Sequence, residues 1–201
     1  MLTMFAKSQS VYVGGAFPTI DHSGDLTNKL GYGLYYFAAF PLINLNNPDL
    51  NKDASFLIFY SEQSLSYKLI NNLSLTGSYV YQRANAVYEN YVNENRLYIQ
   101  AKYQSNFKSI NIVNRLRFDA RFIQNRITNQ TPFTHRARYL LGLDFPITSK
   151  KNNLYLSLYE ELFFKTTAKA KPIYEENWAY AAIGIKLNDK NKIETGLLHI
   201  T

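Results

Sequence analysis

Apolar and polar residues alternate one by one along most of this chain. In Leu73 to Arg83, Leu73, Leu75, Gly77, Tyr79 and Tyr81 fall on one face, with Ser74, Thr76, Ser78, Val80 and Gln82 on the other. Arg96 to Gln104 sets Leu97, Ile99, Ala101 and Tyr103 against Arg96, Gln100, Lys102 and Gln104. The runs Ile110 to Phe122, His135 to Phe145 and Ala179 to Leu187 repeat the pattern. Successive side chains of a strand point to opposite faces, so this period of two predicts strands with one apolar and one polar face. The spacing predicts ten of them, near 11–17, 31–40, 55–69, 73–83, 93–104, 110–124, 133–145, 154–165, 174–187 and 192–201.

Polar turns separate the runs. Asn71-Asn72, Asn106 to Ser109, Thr148 to Asn153 and Asn188 to Asn191 are short. Pro48 to Ala54, Ala84 to Asn90, Asn125 to Pro132 and Thr166 to Pro172 are longer and alternate with them. Tight turns at one end and longer loops at the other are the asymmetry of an outer-membrane barrel. Several runs also reach the ~9–11 residues that a membrane-crossing strand needs, where globular strands average about 5–6. The expected fold is therefore all-β: an antiparallel, up-and-down transmembrane β-barrel of about 10–12 strands.

Composition sharpens this. The chain has 201 residues, 17 Tyr and 13 Phe but one Trp, and a net charge of +7. Aromatic and β-branched residues suit a pleated surface. Tyr32, Tyr35, Tyr36, Tyr60, Tyr79, Tyr81, Tyr139 and Tyr155 lie toward strand ends, which predicts interfacial girdles. There is no cysteine, which excludes disulfides, a thiol nucleophile and cysteine-held metals. The basic residues are scattered, which argues against nucleic acid as a partner. No stretch of ~18 apolar residues forms a transmembrane helix. Residues 1–10 read as a signal-peptide remnant, with Ser8-Gln9-Ser10 in the small-x-small form, leaving 11–201 as one barrel domain.

The polar faces carry the chemistry. Arg115, Arg117, Arg121, Arg136 and Arg138 lie on two consecutive strands, with Asp119, Asp144, Glu160 and Glu161 on these or the next. Lipid against the apolar faces turns this cluster into the lumen, since a lipid-facing Arg at mid-depth costs about 2–4 kcal/mol. Such a cluster attracts anionic solutes or forms a filling salt-bridge network. Leu154 to Phe164 fits least well: Glu160 shares the face of Leu154, Leu156, Leu158 and Leu162, so a bulge shifts the register there or Glu160 lies at the edge of the apolar zone. His22, His135 and His199 stand in separate elements without metal-ligand spacing. Adjacent Glu160 and Glu161 point to opposite faces and cannot act as a glycosidase pair. No nucleotide loop or nucleophile elbow is present, and no cofactor is expected.

Several segments together resemble an uncharacterised outer-membrane β-barrel family filed as domain of unknown function 2490. They are RLRFDARFIQNR (115–126), RARYLLGLDFPI (136–147), LYLSLYEELFF (154–164) and NWAYAAIGIKLNDKNKIETGLL (177–198), with LSLTGSYVYQR and NENRLYIQAKY upstream. The resemblance covers roughly residues 30–198. It implies a barrel, a signal peptide and a Gram-negative source, and it supplies no catalytic residues. Trp178 stands where such proteins often carry a basic residue, and the absence of an aromatic residue in 198–201 leaves room for further closing strands.

The functional expectation is a non-catalytic outer-membrane barrel, either a narrow porin-like pore or a structural or partner-binding component. Outer-membrane lipid surrounds it, and an anionic solute or an envelope protein is its partner. Two alternatives stand beside it. A lipid-modifying enzyme would bring a Ser together with His135 or His199. A soluble lipocalin-like barrel would turn the apolar faces inward around an apolar ligand.

Overall fold

The computed structural model describes residues 13–16, 18–44, 58–86, 91–125, 128–147, 153–166, 173–187 and 192–201. The alternating runs form strands β1 (Val13–Ala16), β2 (Thr19–Asp25), β3 (Leu30–Asn44), β4 (Ile58–Ile70), β5 (Leu73–Ala84) and β6 (Val92–Phe107). They continue as β7 (Ile110–Asn125), β8 (Phe133–Pro146), β9 (Leu154–Thr166), β10 (Ile173–Lys186) and β11 (Lys192–Ile200). From β3 to β11 each strand pairs antiparallel with the next in sequence. Both β1 and β2 pair with β3 along the same edge, so the eleven elements fill ten positions. Among the described residues β11 pairs only with β10, and the sheet is open between β11 and the β1–β2 edge.

The ten predicted strands are all present where described. The segment β2 escapes the pattern because TIDHSGD has low intrinsic strand preference. Backbone pairing to β3 makes it a strand, and the ring of Tyr32 covers Gly24 opposite it: a Cβ on Gly24 would come within 2.7 Å of that ring. The leader-like residues 1–10 and the loop 48–54 lie outside the described residues.

The turn asymmetry holds over the first part of the sheet and fades later. Two residues join β4 to β5 and β6 to β7, against 45–57, 85–91 and 126–132 at the other end. Residues 147–153 on the tight-turn side then outnumber residues 167–172 opposite. At 26–29 the Thr27 hydroxyl accepts hydrogen bonds from the backbone N–H of Lys29 (3.3 Å) and Leu30 (3.0 Å), which closes that turn.

The sheet curls, and the side chains of one face bury one another. We call this the inner face. It is the polar one. Val80 and Tyr98 are buried there, but so are Glu94, Arg96, Arg117, Asp119, Arg136, Arg138 and Glu161. The outer face exposes Leu65, Leu97, Phe118, Ile183 and Leu197, and Ile99 is 67% exposed. A soluble domain does the reverse.

Register ties the two ends of the strands together obliquely. Directly paired inner residues run from Asp25, beside the first tight turn, through Gly31, Ser66, Thr76, Gln100, Arg117, Arg138 and Phe163. The path ends at Glu176, near the start of β10 beside the opposite set of connections. The strands are thus strongly staggered, as a closing barrel requires.

Candidate functional site

The inner face has two chemically distinct parts. On β3 to β6 it is aromatic. Phe37 and Tyr60 stack with centroids 4.9 Å apart, and Tyr35 packs edge-on to Tyr60 at 5.9 Å. The hydroxyls of Tyr60 (2.6 Å) and Tyr98 (2.5 Å) both donate to Glu62. This corrects the girdle expectation: Tyr35, Tyr60 and Tyr155 point inward by register. Adjacent residues of a strand cannot share a face, so Tyr35 and Tyr36 could never both be girdle residues. Tyr79, Tyr81 and Tyr139 do face outward. Each donates its hydroxyl to an outward asparagine: Asn95 at 2.6 Å, Asn93 at 3.0 Å and Asn114 at 2.8 Å.

On β6 to β9 the inner face is a guanidinium ladder. Glu94 accepts Arg96 at 2.7 Å and Arg121 bidentately at 2.7 and 3.0 Å. Asp119 accepts Arg136 at 3.1 Å, with Arg138 at 4.0 Å from the same oxygen. Glu161 takes Arg115 and Arg138 on one oxygen, each at 2.7 Å. The Phe163 ring lies under both Arg136 (4.9 Å) and Arg138 (4.5 Å). Charge-assisted bonds of this kind are short and directional, and they suit the planar guanidinium.

Seven of the eight residues expected in the charged cluster lie in this ladder: Arg115, Arg117, Arg121, Arg136, Arg138, Asp119 and Glu161. Asp144 shares the face but stands apart near the tight-turn end, where it accepts Asn111 (3.0 Å) and Ser157 (2.8 Å). Glu160 faces out between Leu158 and Leu162 and accepts Asn177, at 3.0 Å. The bulge that could have turned it sits instead on β10, between Tyr174 and Glu176. Glu62, Glu94, Arg96 and Lys102 belong to the inner face as well and were not gathered by strand-by-strand reading. Folding the chain at the turn 108–109 brings Arg96 and Lys102 into the cluster, because it sets Arg96 opposite Arg121 and Lys102 opposite Arg115.

The sequence profile of the family described as "Protein of unknown function (DUF2490)" matches residues 46–201. The chain belongs to the DUF2490 family. No curated protein matches this DUF2490 chain. Among solved structures it is similar to a mutant of the ferric enterobactin receptor from Pseudomonas aeruginosa, at 11% identity and a TM-score of 0.39. The match covers 95% of this chain and 38% of the receptor chain. The family carries no assigned activity. Among the described residues no group of three or more His, Asp or Glu side chains could hold a metal ion. His22 meets the Tyr32 hydroxyl at 2.9 Å and His135 packs on Phe133, and no serine hydroxyl of the described residues bonds a histidine.

Proposed function

We propose that this chain forms a non-catalytic β-barrel of the bacterial outer membrane, with the inner face lining a narrow lumen that prefers anions. The inverted burial carries the reading. Nine polar or charged side chains are buried on the inner face, while Leu, Ile and Phe side chains project from the outer one. A contiguous apolar exterior of that extent is rare on a monomeric soluble protein, and lipid is the solvent that fits it. A lipocalin-like barrel would need the opposite distribution.

The lumen would be positive. On β6 to β9 the inner face carries Arg96, Lys102, Arg115, Arg117, Arg121, Arg136, Arg138 and Lys165 against Glu94, Asp119, Asp144 and Glu161. The ion pairs join residues of the same strand, adjacent strands or next-adjacent strands, so they run along the wall. A filled, purely structural barrel is the second reading, favoured by how deeply these guanidiniums are buried.

The single tryptophan tests the face assignment. Trp178 pairs with Glu161 and faces inward beside Phe163, with ring centroids 5.1 Å apart. In vesicles with brominated acyl chains, its fluorescence should be unquenched. Leu97→Trp in a Trp178→Phe background should be strongly quenched. Quenching of Trp178 itself, or no association with vesicles, would sink the proposal.

A further inference from the structure

Three like-charged pairs stand directly opposite one another on the inner face: Arg96 with Arg121, Lys102 with Arg115, and Arg117 with Arg138. Like charges at directly opposed positions destabilise a sheet unless something neutralises them. Glu94 bridges the first pair. Glu161 takes one member of each of the other two, Arg115 and Arg138. Lys102 and Arg117 are left over.

Arg117 is 6% exposed and makes no ion pair among the described residues. Its Nε and Nη2 donate to the Gln100 amide oxygen at 3.0 and 2.7 Å, and its guanidinium lies 3.8 Å from the Tyr98 ring centroid. Lys102 has neither an ion pair nor a hydrogen bond among the described residues. Arg115 beside them keeps a buried Nε without a partner. A buried charge without a counter-charge is costly, so the site calls for an anion. Lys102 on β6 and Arg117 on β7 are diagonal neighbours, a spacing of about 7–8 Å that two long side chains readily bridge around one group. The Gln100 carbonyl oxygen faces Arg117, which leaves its amide N–H groups as further donors.

We propose that Lys102 and Arg117, with Arg115 and Gln100 beside them, bind a multiply charged oxyanion of the phosphate class on the inner wall. The site rests on the reading of the inner face as a lumen. Guanidinium and ammonium groups together match the oxygens and charge of such an ion. Chloride offers neither the charge nor the oxygen geometry.

The full chain in a non-ionic, phospholipid-free detergent would be unfolded thermally while sodium phosphate is titrated against sodium chloride at equal ionic strength. A parallel arm replaces free phosphate with short-chain phospholipid micelles, which separates a headgroup phosphate from a soluble one. A saturable rise in Tm is expected in at least one arm and not with chloride. In Arg117→Gln and Lys102→Gln the phosphate concentration at half-effect should rise at least tenfold. Without phosphate these variants should be as stable as the parent or more so, because each removes an uncompensated charge. Three results overturn the site: chloride matching phosphate in both arms, full response retained in both variants, or Arg117→Gln unfolding earlier in the absence of phosphate. The last would mean that the Gln100 bonds, the Tyr98 ring or a carboxylate of the chain already compensates the Arg117 charge. Quenching of Trp178 by brominated lipid removes the lumen reading itself. A chain that passes that test yet ignores phosphate loses only this site.

Discussion

Glu161 holds more of the buried wall than its size suggests. It is 2% exposed, and one of its oxygens accepts from both Arg115 and Arg138. Removing the carboxylate takes from Arg115 its counter-charge and leaves Arg138 with the Asp119 oxygen at 4.0 Å. Breaking a buried pair in this way typically costs about 3–5 kcal/mol, because the orphaned charge stays behind. Glu161→Leu should therefore lower the unfolding free energy by about that amount, read from urea unfolding in detergent. A loss below about 1 kcal/mol would show that Glu161 is a surface-like pair. At this scale the sequence was legible only in part. Period-two alternation put Glu161 and Glu160 on opposite faces but could not say which faced inward, since either answer needed the register of β9. The pairing of Leu141 with Glu160 and of Leu140 with Glu161 settles it.

At the scale of elements, the hairpin of β6 and β7 sets the ladder. Its sixteen paired positions place Arg96, Gln100 and Lys102 directly across from Arg121, Arg117 and Arg115, with Glu94 at the next inner position of β6, and a slip of one residue would turn every one of them outward. The turn that fixes this register carries a cost. Lys108 has φ of 55°, a left-handed conformation that a residue with a Cβ adopts with strain. The other described non-glycine residues with positive φ are Asn85, Asn129 and Asn153, whose side chain tolerates it better. Lys108→Gly should then stabilise the hairpin by up to about 1 kcal/mol, with no change in phosphate response. Destabilisation by that substitution would mean that the Lys108 side chain, 5.7 Å from the Phe107 ring, contributes more than the backbone costs. The strands themselves were readable because each carries its own alternation. Their partners across the sheet were not, except through tight turns, because a longer connection leaves the register free. The polar segment β2 was invisible for a related reason: its neighbour β3, and not its own composition, makes it a strand.

At the scale of the whole molecule, the inside-out distribution of charge was the most legible feature, and the surplus of cations on β6 to β8 follows from it. Reconstituted in planar bilayers, the barrel should pass anions in preference to cations. Arg117→Ala and Lys102→Ala should each weaken that preference, and a cation-selective channel would count against the positive lumen. A barrel that inserts, as the Trp178 test reads, and conducts nothing would favour the filled reading. The aromatic half of the wall, by contrast, could not be read from the chain. Tyr35, Tyr60 and Tyr98 resemble membrane-surface residues by type, and it takes the register, the bonds of Tyr60 and Tyr98 to Glu62 and the packing of Tyr35 on Tyr60 to show that they work inside.

The oblique path from Asp25 to Glu176 has an electrical consequence. Groups that are neighbours along it stand at successive heights, so the wall has no single ring of charge at one depth. It is closer to a ramp winding from one rim to the other, with Arg117 near half-way in β7. An ion held there sits part-way through any applied voltage, where a full crossing is worth about 2.3 kcal/mol per charge at 100 mV. Phosphate arriving from one side should therefore impede smaller anions more as the voltage drives it inward. Smaller anions would meet the remaining charges one after another, handed along the spiral instead of stopped at one gate.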